Sequence, residues 1–174
     1  IAQATGKDPW EVLYDHLADR WLLSQFTTAS PFHQCIAISQ TANPTGAWHR
    51  YDFIIPSGRF NDYPKFGVWP DAYYLAFDSY SADYVTYQGA RLCALDRTRM
   101  LQGLAATPQC FTTSNAYRGL LPADLDGATP PPAGSPNYAM ALGSDPNTLA
   151  LWKLHGDWAT PANFVDDLAM RWLI

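Results

Sequence analysis

Three aspartates stand in similar settings along the chain. Asp8 precedes Pro9-Trp10, Asp62 precedes Tyr63-Pro64, and Asp124 follows Leu121-Pro122-Ala123. If each setting opens one sheet of a repeated array, the three carboxylates converge on a shared axial mouth. Convergent carboxylates can serve as general acid and base, hold a cation, or orient the hydroxyls of a sugar. Asp8, Asp62 and Asp124 are therefore the candidate catalytic residues, with Asp62 and Asp124 the preferred pair. Trp10, Lys65, Trp69 and Asp126 lie close to them in sequence and are the candidate ligand-binding residues. Aromatic rings beside acids are the makings of a carbohydrate site. Strand alternation offers a competing place for Trp69, facing a neighbouring sheet.

Other chemistry is thinner. Asp124-Leu125-Asp126-Gly127 resembles the middle of a calcium loop, in which hard oxygen donors cluster about a glycine turn. That makes calcium the candidate cofactor, with Asp124 and Asp126 as ligands. The loop lacks an acid or amide where Pro122 stands, and it lacks a late glutamate, so a turn held by aspartate side chains is the alternative. His16, His33, His49 and His155 are scattered. The sequence has no Gly-x-Ser-x-Gly elbow, no glycine-rich phosphate loop and no His-Glu-x-x-His. Cys93 and Cys110 could bridge in an exported chain; alternatively, the three cysteines, with Cys35, are small buried hydrophobes.

The elements that must position these residues are strands. Residues 8–15, 21–26, 34–39 and 48–53 read as four short strands with tight connections, including a turn at Asn43-Pro44-Thr45-Gly46. The pattern restarts at 62–69, 73–77, 91–95 and 109–113, with a short helical insert over 96–103. A third round runs through 121–124, a proline-rich loop, 137–142 and 149–154. Cys35, Cys93 and Leu151 fall in the three third-strand segments, 58 residues apart each time. This recurrence predicts an all-β fold, a partial β-propeller of about three four-stranded antiparallel blades over 8–56, 62–115 and 120–164. A β-sandwich would explain the strands but not the recurrence. Residues 165–174 break the pattern and are expected as a short helix or ragged tail, with Leu168, Trp172 and Leu173 along one face. A propeller needs at least four blades to close, so the reading expects a longer natural protein.

Composition narrows the function. Hydrophobic residues make up 48% of the chain, aromatic residues 14% and charged residues 16%. Glu11 is the one glutamate among sixteen acidic residues, and there are three lysines, a surface poorly suited to helices. Fourteen prolines and eleven glycines fit many turns. A net charge of −5 with no basic stripe argues against a nucleic-acid partner. No apolar run approaches the ~20 residues of a membrane-spanning helix, and residues 1–20 do not form a signal peptide.

The quoted segments resemble a known group. Asp8-Pro-Trp-Glu-Val-Leu-Tyr-Asp15, Phe60-Asn-Asp-Tyr-Pro-Lys-Phe-Gly-Val-Trp-Pro-Asp71 and Leu121-Pro-Ala-Asp-Leu-Asp-Gly127 are similar to a sialidase-like β-propeller region of large bacterial exported proteins. The likeness covers most of residues 8–164. It implies a propeller fold and a secreted or cell-surface location, in a group without a settled function. Taken with the low lysine content and the many aromatic residues, it leads to an expected binding or architectural role, with carbohydrate or another protein as partner. The wider sialidase-like group includes glycoside hydrolases with a Phe-Arg-Ile-Pro motif. Here the nearest stretch is Phe53-Ile54-Ile55-Pro56, with Ile54 in the arginine position, and the Ser-x-Asp-x-Gly-x-Thr-Trp box is absent. The expectation is a non-catalytic module; the alternative is a glycoside hydrolase acting through axial aspartates.

Overall fold

A computed structural model describes residues 10–143, 145 and 147–160, and the backbone of 165–172. Asp8 lies outside the described residues. The fold is all-β, with three antiparallel four-stranded sheets. Sheet 1 is β1 (Glu11–Asp15), β2 (Arg20–Phe26), β3 (His33–Ser39) and β4 (Trp48–Ile54). Sheet 2 is β5 (Phe60–Val68), β6 (Tyr73–Tyr80), β7 (Tyr87–Leu95) and β8 (Pro108–Thr112). Sheet 3 is β9 (Leu121–Pro122), β10 (Asn137–Leu142), β11 (Thr148–Leu154) and β12 (Val165–Trp172). Each sheet is a meander in chain order, because every connection joins hydrogen-bonded neighbours.

Local chemistry sets the turns. Asp15 closes the β1–β2 turn by accepting hydrogen bonds from the backbone N–H groups of Leu17 and Ala18, both at 3.0 Å. The β3–β4 turn forms where expected, with Asn43 Oδ1 accepting from Thr45 N at 3.0 Å. The helical insert is the short helix α1 (Arg97–Leu101), capped by Asp96, whose carboxylate accepts from Arg99 N at 3.0 Å.

Sheet 2 is covered on both faces, which explains why Tyr73-Tyr-Leu-Ala-Phe77 is buried without a break. Tyr73, Leu75, Phe77, Cys93 and Leu95 pack against Leu22, Ile36 and Ile38 of sheet 1. The alternate residues Tyr74, Ala76, Leu92 and Ala94 pack against Ala139, Ala150, Trp152 and Leu154 of sheet 3. Two separate apolar cores therefore hold three sheets in series, one sheet more than a sandwich has.

The first strands of the three sheets also lie together. Lys65 on β5 pairs with Glu11 on β1. Val68 N donates to Asp124 Oδ1, just past β9, at 2.7 Å. Gly67 makes this approach possible, since a Cβ there would sit 2.2 Å from the Ala123 carbonyl oxygen.

Leu151 is in the third strand of its sheet, as expected; it faces away from sheet 2, whereas Cys93 faces sheet 1, and Ala150 and Trp152 take the inward positions. One expectation changes. The tail expected as a short helix or ragged end runs instead as strand β12 over 165–172 and pairs antiparallel with β11. The ladder along the exposed edge of β11 gives that backbone its hydrogen bonds.

Candidate functional site

The most distinctive chemistry on a first strand is a bulge in β5. The β5–β6 register runs Asp62 opposite Asp78 and resumes at Lys65 opposite Ala76. Tyr63 and Pro64 together therefore oppose the single residue Phe77. Pro64 has no N–H to give the ladder, which suits a bulge. Tyr63 adopts a left-handed backbone with φ 53° and leaves 57% of its surface exposed. Strained conformations of non-glycine residues concentrate at ligand sites. The Lys65 ammonium lies 4.3 Å from the centre of the Tyr63 ring and also contacts the Glu11 carboxylate.

The bulge is anchored from below by a buried polar chain. Asn61 donates to Gln34 Oε1 at 2.7 Å, and Gln34 donates to Ser24 Oγ at 2.6 Å. Ser24 passes the chain to the Cys35 carbonyl oxygen at 3.1 Å. All three side-chain amides and hydroxyls sit in residues that are almost wholly buried. These bonds fix the β5 backbone immediately before Asp62 against sheet 1.

Asp62 and Asp78 are directly opposed across the ladder, so their side chains leave the same face of the sheet. Asp78 accepts from Gly119 N at 3.0 Å and from the Tyr87 hydroxyl at 3.4 Å. Burial, and then the Asp78 charge, raise the Tyr87 phenol above its ordinary range. Arg118 lies 4.0 Å over the Tyr87 ring and donates to the Tyr80 hydroxyl at 3.3 Å. Two carboxylates, an exposed guanidinium and two tyrosines, Tyr80 and Tyr87, thus border one end of sheet 2.

The preferred acid pair is not brought together. Asp124 is held at Val68, six residues along β5 from Asp62. At ~3.3 Å per residue this is roughly 20 Å, well outside the ~5–10 Å that paired glycosidase carboxylates span. Trp69 belongs to the core between sheets 2 and 3, and its indole N–H donates to the Ser135 carbonyl oxygen at 2.9 Å, so it pins the proline-rich loop. Trp10 stands on the outer face of sheet 1, in a groove it shares with Gln25 and Cys35. Asp126 is exposed. Among the described residues no group of three or more His, Cys, Asp or Glu side chains is placed to hold a metal ion. Of the residues singled out from sequence, Asp62 and Lys65 alone belong to the bulge.

Sequence reasoning missed the exposed Tyr63 ring and the placement of Asp78 opposite Asp62. The dipeptide Tyr63-Pro64 inside a strand was the available signal, because proline within a strand marks a bulge or an edge.

No protein-family model, curated protein or solved structure matches the chain. The reading of the site therefore rests on its geometry. Cys93 and Cys110, opposite one another on β7 and β8, form a disulfide, and Cys35 is free. Burial, followed by the Asp52 charge, pushes the Cys35 thiol up, away from the thiolate a nucleophile requires. His33 Nδ1 lies 2.5 Å from Asp52 Oδ1 on the same sheet face, but that pair faces a thiol poorly set for attack.

Proposed function

We propose that the chain is an arc of a β-propeller that acts as a non-catalytic binding module of an exported bacterial protein, with carbohydrate as its ligand class. The observation that carries this reading is the β5 bulge. It lifts the Tyr63 ring into solvent beside Lys65, Glu11 and Asp62, an aromatic platform with charged hydrogen-bonding groups at its rim. A tyrosine ring can stack on the apolar face of a sugar while neighbouring carboxylates accept from its hydroxyls. The adjacent first strands and the serial packing of the sheets support the propeller, and the Cys93–Cys110 disulfide supports export to an oxidising compartment.

A glycoside hydrolase is the second reading, and one observation favours it. The ladder sets Asp62 directly opposite Asp78, a pair of carboxylates with cross-strand spacing. Against it stands the engagement of Asp78 by Gly119 N and Tyr87, which gives that carboxylate a structural task.

A glycan-array screen of the full chain, with and without calcium, tests the proposal. Saturable binding to a defined glycan that persists in Asp62→Asn supports a binding module. Glycan hydrolysis abolished by Asp62→Asn would replace it with the hydrolase. Binding that requires calcium would restore the metal reading of Asp124 and Asp126.

A further inference from the structure

Two arginines of sheet 2 and its helix turn toward sheet 1, and they are treated differently. Arg97 reaches Asp15 and donates two hydrogen bonds to its carboxylate, at 2.7 and 3.0 Å. Arg91 has no such partner. It stands on β7 opposite Phe77 of β6, two residues before Cys93, so strand alternation aims it at sheet 1 along with Phe77, Cys93 and Leu95. The rest of that row is apolar core. The Arg91 side chain is half-buried, and among the described residues none accepts a hydrogen bond from it or forms an ion pair with it. Arginine does not shed its proton in a protein, so the charge stays. Burial, and then the charge of Arg59, push the Arg91 pKa below the ordinary arginine value. A charge desolvated in this way is costly until a counter-charge meets it.

Arg91 lines a cavity of about 340 Å³ between the end of β4 and the β7–β8 pair, a volume suited to a small molecule. Phe53, Ile54 and Ile55 wall it from sheet 1, and Leu75, Phe77 and Leu95 from sheet 2. Ile54 leaves 65% of its surface exposed there. Gln34 is the other polar residue on the walls, and its amide is already engaged: it accepts from Asn61 at 2.7 Å and donates to Ser24 Oγ at 2.6 Å. The cavity therefore offers one guanidinium against apolar walls.

We infer that this cavity binds a small carboxylic acid with an apolar body, its carboxylate paired with Arg91 and its body packed against Phe53, Ile55, Leu75 and Phe77. A carboxylate matches the fork of a guanidinium with two parallel hydrogen bonds, as Asp15 does for Arg97 within this chain. Arg59 adds its attraction at the same place. The walls favour an apolar acid over a phosphate ester or a sugar acid, whose further oxygens would be buried against carbon. The site is independent of the β5 bulge, because β6 stands between β5 and the strand that carries Arg91. It needs neither the Tyr63 platform nor a carbohydrate ligand.

Calorimetric titration of hydrocinnamate and octanoate into the full chain tests this, beside the matching neutral primary amides and the variant Arg91→Met. The expected result is saturable binding of at least one of the two carboxylates, with its amide at least tenfold weaker. Arg91→Met should bind that carboxylate at least tenfold more weakly and no better than the amide. Without ligand the variant should melt at the same or a higher temperature, because methionine fills the row with an apolar side chain and removes an unpaired charge. Absence of binding by both carboxylates would overturn the inference, as would equal affinity for a carboxylate and its amide. An Arg91→Met chain that melts well below the parent without ligand would also overturn it, since the guanidinium would then serve the fold itself.

Discussion

Asp15 and Arg97 lie 82 residues apart and meet as a bidentate ion pair, with Nε at 2.7 Å from one carboxylate oxygen and a terminal guanidinium nitrogen at 3.0 Å from the other. Asp15 is fully buried and accepts further hydrogen bonds from the Tyr73 hydroxyl at 2.8 Å and from two backbone N–H groups of its own turn. One carboxylate thus joins the β1–β2 turn of sheet 1 to β6 and α1 of sheet 2. A parallel device recurs one sheet on. Asp71, in the β5–β6 turn, accepts from the Tyr74 hydroxyl at 2.9 Å and from Gly156 N, just past β11, at 2.8 Å. In both, an aspartate at or just past the end of the first strand reaches the segment that leaves the third strand of the next sheet.

The Asp15–Arg97 pair gives the first prediction. Removing one partner strands a buried charge, so Asp15→Ala should lower unfolding free energy by about 3–5 kcal/mol. Arg97→Met in the same background should recover part of that loss, because no unpaired guanidinium remains. Urea unfolding of the two single variants and the double variant measures the coupling. A double variant as unstable as the sum of the singles would contradict it.

Alkaline pH gives the second. Burial first, and then a neighbouring aspartate, raise the phenols of Tyr73, Tyr74 and Tyr87 above the ordinary value near 10. A group whose folded pKa is raised contributes its stability in full below the unfolded value and loses it as pH climbs above that value. Denaturation midpoints should therefore hold steady to about pH 9 and fall beyond pH 10. Tyr73→Phe should flatten the decline. An unchanged slope in that variant would show that ionisation of Tyr73 is not part of it.

The disulfide gives the third. Cys93 and Cys110 close a loop with a sequence separation of 17 between adjacent strands. Cys110→Ser should cost about 3 kcal/mol by the loop-closure estimate, read as a lower urea midpoint. Addition of reductant should reproduce the effect in the parent chain and leave the variant unmoved.

Much of the fold was legible because its signals are local. Turn chemistry at Asn43–Gly46, the Asp96 cap and the alternation in Asn137–Leu142 each act within a few residues. The placement of Cys35, Cys93 and Leu151 in third strands also held. The face that Leu151 takes was not legible, because strand phase depends on how each hairpin and bulge is closed, and a single-residue change reverses it. The pairing of Asp62 with Asp78 was hidden for the same reason: it depends on the register across the β5–β6 hairpin, and Asp78 ends an apolar run that reads as core. Trp69 looked like a ligand platform beside an acid. The Ser135 carbonyl that claims its N–H comes from a loop 66 residues away, which no local pattern announces. The tail Val165–Trp172 carried apolar spacings that a helix or a strand could satisfy, and a free edge on β11 decided between them.

The central claim is that Tyr63 on the β5 bulge is the platform of a carbohydrate-binding surface. The direct measurement is calorimetric titration of the array-selected glycan into the full chain and into Tyr63→Ala, with melting temperatures taken alongside. The account predicts saturable binding to the parent and at least tenfold weaker binding to Tyr63→Ala at an unchanged or higher melting temperature, since the substitution removes an exposed ring. Equal affinity in the two proteins, or no saturable glycan binding by the parent, would contradict it.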